Sequence, residues 1–232
     1  MKNSFLKDSV IAHRGIYDNK KTIENTLEAF KKAMNKGYSI ELDLHLTKDK
    51  KIVVFHDDTL DRLTDKRGRV DSFTLEELKN TKLLDTETYI PSFDDVLNLV
   101  DGKVPLLVEL KSSVKGCKLE REVSKRLKEY NGEYAIQSFN PKSILWFRIF
   151  NKNVTRGLLI SPKTYKLYNY SKLMNTCKPD FINVNKILVD EKLVKGFNGI
   201  KLAYVIDKSE KYKYSDKCDN MICNIWFTNH FF

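Results

Sequence analysis

The stretch IELDLHLTKDKKIVVFHDD, residues 40–58, decides how this chain folds. It contains two apolar runs, Ile40–Leu46 and Ile52–Phe55, with only Thr47–Lys51 between them. A parallel crossover needs about a dozen residues or more, so these runs must pair antiparallel, as a hairpin. Nine apolar runs qualify as strands in all: Val10–Ala12, Ile40–Leu46, Ile52–Phe55, Val104–Leu110, Tyr134–Ser138, Gly157–Ile160, Phe181–Val184, Leu202–Ile206 and Met221–Cys223. With Ile52–Phe55 read as a return strand on the second run, eight parallel strands remain, the number that closes a (β/α)8 TIM barrel. A hairpin turn centred on Asp49-Lys50 would set His56 opposite Asp43, roughly 5 Å away.

Helix signals lie between most of these runs. Asn25-Thr-Leu-Glu28 reads as a capping box closed by Gly37. Thr74-Leu-Glu-Glu77 and Ser92-Phe-Asp-Asp95 read as two more starts, and Pro141 suits a first helical turn. Alternating strands and helices place the helices outside a parallel sheet. The segment of about 57–93 has no barrel strand and reads as a small insertion before the second barrel helix, within one domain spanning 1–232.

Composition narrows the class. At 232 residues, 41% hydrophobic and 31% charged, the chain suits a globular fold with a sizeable core. No apolar stretch reaches the ~20 residues that span a bilayer. The start, MKNSFLKDSV, lacks a signal-peptide pattern, which predicts a cytoplasmic location. Cys117, Cys177, Cys218 and Cys223 form no CxxC pair and read as reduced thiols, not zinc ligands. The formal charge of +10 reads as a lysine-rich solvated face, because the densest run, Lys48-Asp49-Lys50-Lys51, is broken by an acid. Nucleic acid is therefore not an expected partner, although charge alone keeps it as a distant alternative. Peripheral contact with a membrane is compatible with the same charge.

Barrel active sites lie at the C-terminal ends of the strands. His13, Arg14 and Gly15 end the first run, Glu41 and Asp43 share one face of the second, and Glu109 and Lys111 share one face of the fourth. The hairpin returns His56 to the same rim. Two carboxylates at i and i+2 facing a barrel interior repel, and a bound cation relieves that cost. Oxygen donors from Glu41, Asp43 and Glu109 suit Mg²⁺ or Ca²⁺ better than zinc. Either histidine alone is compatible with a structural role; together at one rim His13 and His56 suit an acid and base pair. Arg14 offers a planar fork to a phosphate and Lys111 a point charge. His45 is read as a rim residue, and neither it nor His230 is assigned a role.

HRG, IENTLEAF, ELDLHLTKD with VVFHD, IPSFDDVL, VELK, SFNP and YVID, in that order, resemble the glycerophosphodiester phosphodiesterases over nearly the whole chain, from Ile11 to about Asn224. The resemblance implies a TIM barrel with a small insertion, one divalent cation, and hydrolysis of glycerophosphodiesters to sn-glycerol 3-phosphate and an alcohol. It carries catalysis onto His13 and His56, metal binding onto Glu41, Asp43 and Glu109, and phosphate contacts onto Arg14 and Lys111. Three positions depart from the family pattern: Ile23 replaces a proline, Lys50 a glycine, and Tyr204 a tryptophan that lines the glycerol pocket. By that match Tyr204 is the substrate-binding aromatic. Two alternatives stand beside this reading: a lysophospholipase D activity on the same barrel, and a phosphate-binding barrel without turnover.

Overall fold

The computed structural model describes residues 4–112 and 116–226, so His230 lies outside the described residues. Among the described residues nine strands form one sheet: β1 (Ile11–Tyr17), β2 (Ser39–Leu46), β3 (Ile52–Val54), β4 (Leu106–Leu110), β5 (Tyr134–Ser138), β6 (Arg156–Ile160), β7 (Phe181–Asn185), β8 (Ile200–Asp207) and β9 (Asn220–Trp226). Eight are parallel and close into a barrel, because β1 pairs with both β2 and β9. β3 alone runs antiparallel, against β2. Around the barrel lie α2 (Leu27–Met34), α4 (Phe93–Val100), α5 (Lys118–Lys128), α6 (Pro141–Phe150), α7 (Pro162–Leu167), α8 (Tyr170–Cys177) and α9 (Lys192–Lys195), while α1 (Phe5–Asp8) precedes β1 and α3 (Leu75–Lys79) follows β3.

β1 runs further than the apolar run Val10–Ala12 suggests, since its pairing with β9 resumes at Ile16 after an irregularity beyond Ala12. Arg14 (φ 57°) and Gly15 (φ 85°) make that bend with left-handed backbone. A β-carbon on Gly15 would sit 2.8 Å from the Ala29 backbone, so the close approach of α2 requires glycine there. β1 therefore pairs with β2 only over Ser39–Glu41, and β3 takes over the upper edge of β2 at Leu44–Leu46.

The hairpin register differs by one residue from expectation. Leu44, His45 and Leu46 oppose Val54, Val53 and Ile52, which centres the turn on Asp49, and Phe55 N donates to Asp43 O. Phe55, not His56, faces Asp43. An odd-numbered loop closes here because Lys50 adopts left-handed backbone, φ 61°. For a side chain other than glycine that conformation costs about 1–2 kcal/mol.

The capping boxes at Thr74–Glu77 and Ser92–Asp95 form, and Pro141 occupies the first turn of α6. The expected box at Asn25 does not. Thr26 is the N-cap of α2, accepting from Ala29 N, while the Asn25 side-chain oxygen accepts from Asp43 N and its NH2 donates to the Asp43 carboxylate.

Phe5 and Leu6 of α1 pack with Ile11, Leu107, Ala135, Phe181, Leu202 and Ile222, an apolar ring inside the N-terminal end of the barrel. Burying each such large side chain contributes roughly 1.5–3 kcal/mol. Gly157 makes room for this ring: a β-carbon there would lie 2.0 Å from the Phe181 ring. A larger apolar layer fills the space between sheet and helices. Residues 55–92 build a satellite core together with Ile23 and Val53, which pack with Phe55, Leu60, Leu63 and Ile90. Among the described residues no helix is long and apolar enough to cross a membrane.

Candidate active site

Strand periodicity of two carries the apolar ring into a polar layer above it. Two residues beyond Ile11, Leu107, Ala135, Phe181, Leu202 and Ile222 come His13, Glu109, Gln137, Asn183, Tyr204 and Asn224. Glu41 and Asp43 join them from β2, in register with His13 and Glu109 on the flanking strands. The polar layer lies toward the strands' C-terminal ends, where such folds do their chemistry.

Ligand atoms of Glu41, Asp43 and Glu109 all lie within 4.8 Å of one another, on buried side chains. Lys111 Nζ reaches Asp43 Oδ1 at 3.0 Å and Glu109 Oε1 at 2.6 Å. Arg14 Nε is 3.5 Å from Asp43 Oδ2, and Arg14 N donates to Glu41 Oε2 at 3.1 Å. The three carboxyls are not equivalent. Burial, then Asp43 and Glu109, push Glu41 well above the carboxylate range. Burial also raises Glu109, against the pull of Lys111. Burial works against Asp43 too, but Lys111, His56, Arg14 and the Asn25 amide outweigh it and hold Asp43 strongly acidic. Burial would lower Lys111, yet Asp43 and Glu109 keep its ammonium charged.

This cluster is compatible with a hard divalent cation. It offers three oxygen donors and no thiolate, and two of its carboxyls are raised, by burial first and then by the neighbouring carboxylates.

Each imidazole has one nitrogen engaged. His13 Nδ1 lies 2.8 Å from Asn224 Oδ1, so Nδ1 carries the hydrogen and Nε2 the lone pair. Burial, then the Arg14 charge beside it, depress His13 to about 4. His56 Nδ1 lies 2.5 Å from Asp57 Oδ1, leaving its Nε2 for proton exchange. Desolvation would raise Asp57, but hydrogen bonds from His56 and Arg62 hold it far below the usual carboxylate range. Despite the register difference His56 remains at this site, within electrostatic reach of Asp43, Glu109 and His13. Buried His45 anchors the turn, with Nε2 3.3 Å from His56 O. Tyr204 meets Phe139 edge to face, ring centroids 6.0 Å apart, and donates its phenol to Ile160 O.

Several residues here escaped the sequence reading. Asn25 donates to Asp43 Oδ2 at 2.8 Å. Glu24 accepts from Arg14 at 2.7 Å and from Arg62 at 2.7 Å, and Arg62 also binds Asp57. That bridge ties the segment after β3 to the back of His56. Gln137 donates to Glu41 Oε1 at 3.4 Å and accepts from Asn183 at 2.9 Å. Glu24, Asn25 and Asp57 lie inside quoted motifs and were within reach. Gln137, Asn183 and Asn224 carried no local signal, since only the barrel brings their strands together.

A family model for the glycerophosphoryl diester phosphodiesterase family matches residues 13–231. A glycerophosphodiester phosphodiesterase of Caldanaerobacter subterraneus subsp. tengcongensis is 36% identical over 219 residues, covering 88% of each chain. The structure of a phosphodiesterase from Oleispira antarctica, in complex with the product sn-glycerol-3-phosphate, superposes with a TM-score of 0.83 at 22% identity, over 97% of this chain and 96% of that one. A glycerophosphodiester phosphodiesterase from Thermotoga maritima superposes with a TM-score of 0.74 at 26% identity, over 93% of this chain and 94% of that one. Sequence and fold thus agree, each over most of its length: the chain belongs to the glycerophosphoryl diester phosphodiesterase family, enzymes that hydrolyse glycerophosphodiesters.

Proposed function

We propose that this phosphodiesterase cleaves small glycerophosphodiesters to sn-glycerol 3-phosphate and an alcohol, with His13 and His56 moving the protons. The observation that carries this reading is the pair of differently backed imidazoles, one on Asn224 and one on Asp57, at the rim of a buried three-carboxylate cluster. Glu41, Asp43 and Glu109 would hold the divalent cation, Mg²⁺ or Ca²⁺, which when bound supplies positive charge to the phosphate oxygens. Arg14 and Lys111 orient the phosphodiester and offset charge developing on it. Tyr204 and Phe139 flank the glycerol side.

A glycerol hydroxyl adjacent to the phosphate attacks phosphorus and expels the alcohol, giving a cyclic phosphate. Water then opens the ring. His13, neutral at pH 7, enters as proton acceptor at Nε2. His56, backed by Asp57, donates to the leaving alcohol. In the second half the roles reverse.

The direct test is release of sn-glycerol 3-phosphate from glycerophosphocholine, with added Mg²⁺ or Ca²⁺ and with chelator. Loss of release in chelator is expected; undiminished release would remove the cation from the reading. His13→Ala and His56→Ala should each lower turnover ~10²-fold or more. A substrate whose leaving group is a nitrophenolate needs no proton donor. Release of the nitrophenolate, which reports the first half alone, should be rescued in His56→Ala but not in His13→Ala, and the opposite pattern would exchange the two roles. Faster cleavage of a lysophospholipid than of glycerophosphocholine would favour the lysophospholipase D alternative.

A further inference from the structure

Three neighbouring segments at the catalytic end of the barrel expose apolar side chains among lysines. They follow β6, β7 and β8, which pair with one another in that order. Leu167 and Tyr168 end α7, Ile187 lies just beyond β7, and Tyr212 lies beyond β8. Leu167 and Ile187 are each 67% exposed and Tyr212 is 89% exposed. Burying none of them within the chain leaves that apolar area in water without return.

The sequences of these segments, 161–168, 185–188 and 207–214, carry six lysines against two acidic residues. Lys163, Lys166 and Lys213 are exposed. The segments are also braced against one another. Lys186, next to Ile187, ion-pairs with Glu210, two residues before Tyr212. The Tyr165 phenol in α7 donates to Glu191, at the start of α9. The result is a linked rim that carries separate exposed apolar side chains and exposed lysines.

We propose that this rim docks the enzyme on an anionic lipid bilayer, with the barrel mouth facing the membrane. The pattern favours lipid over protein. Protein interfaces concentrate apolar area at a core depleted of lysine. A bilayer surface accepts isolated aliphatic and aromatic tips beside lysines whose heads stay at the headgroup level. Anionic headgroups complement the excess of lysines. The docking deepens the proposed activity, on which it rests only for why such a surface flanks this mouth. Its role is to hold the site where glycerophosphodiesters and lysolipids leave a membrane.

The test is co-sedimentation of the full chain with sucrose-loaded vesicles of phosphatidylcholine, with and without about one third phosphatidylglycerol. Partitioning should be at least tenfold stronger on the anionic vesicles and should fall as salt rises to about 0.5 M, where charges are screened over a few ångströms. Ile187→Ser combined with Tyr212→Ser should lower it at least tenfold. Hydrolysis of soluble glycerophosphocholine should not change in that variant, since neither side chain belongs to the site. Ile149→Ser with Phe150→Ser alters exposed apolar residues at the C-terminal end of α6, the opposite end of the barrel, and should leave binding intact. Equal binding to neutral and anionic vesicles, or binding indifferent to the Ile187 and Tyr212 changes, would overturn the proposal. So would self-association through these residues in place of vesicle binding. Normal hydrolysis with no vesicle binding sinks the docking alone; vesicle binding without hydrolysis sinks the activity alone.

Discussion

Glu41→Gln should separate the cost of the acidic cluster from its use. The substitution keeps the shape of the side chain and removes one buried carboxylate. Ligand atoms of Glu41, Asp43 and Glu109 lie within 4.8 Å of one another. At that separation and an effective dielectric of ~20, two ionised carboxylates repel by about 3.5 kcal/mol. Burial first, and this repulsion by Asp43 and Glu109 after it, raise the titration of Glu41 well above the usual carboxylate range. A group whose folded titration is raised binds more protons folded than unfolded, so it contributes stability at low pH that is lost as pH rises through the folded value. With chelator present, the wild-type melting temperature should therefore fall toward alkaline pH, and Glu41→Gln should flatten that fall. Cation reverses the order. At 100 times its dissociation constant a bound ion stabilises by about 2.7 kcal/mol. For a chain of this size that corresponds to roughly 5–11 °C. The wild type should show the gain and Glu41→Gln should lose most of it. Thermal melts of both proteins, with chelator and with Ca²⁺ or Mg²⁺, across pH 5–9, read both signs at once. A cation-dependent rise of equal size in Glu41→Gln would refute the reasoning, as would a wild type indifferent to either ion.

Gln137→Leu removes the amide that donates to Glu41 and accepts from Asn183, and should weaken cation affinity ~10-fold or more, read by calorimetric titration. Asp57→Asn removes the carboxylate behind His56 and one partner of Arg62; turnover should drop about tenfold or more with KM little changed, and equal turnover would show that Asp57 only braces the loop. Gly157→Ala drives a methyl into the Phe181 ring and should cost about 1–3 kcal/mol, seen as a lower urea midpoint at unchanged slope. Acidification should destabilise the fold through His13. Its folded value is depressed, to about 4, so the unfolded chain takes up the proton first as pH falls below ~6.5. That loss amounts to about 3 kcal/mol by pH 4 and should be absent in His13→Asn.

The strand pattern and the carboxylate spacing are local properties, and they were legible. Alternation along β2 puts Glu41 and Asp43 on one face in any β context, and a five-residue gap between apolar runs permits only an antiparallel return. Capping at Thr74 and Ser92 is likewise settled within four residues. The misreadings came where two elements compete for one group. Asn25 reads as the cap of α2, but its side-chain oxygen accepts from Asp43 N–H and its NH2 donates to the buried Asp43 carboxylate, so the side chain is turned away from the helix. The hairpin slipped by one residue because Lys50 accepts left-handed backbone, which nothing in its side chain advertises.

The sequence by itself determined the barrel, the acidic triad and the two histidines, since each follows from periodicity or from short motifs in fixed order. Only the tertiary structure decided what stands behind them. Asn224 fixes the tautomer of His13 across 211 positions of chain, and Gln137 reaches Glu41 across 96. Ring closure makes β9 the neighbour of β1, and the strand faces then turn these distant amides toward one small, water-poor volume. Proton position and carboxyl charge are set by that enclosure, because desolvation and near neighbours act only once the strands have met.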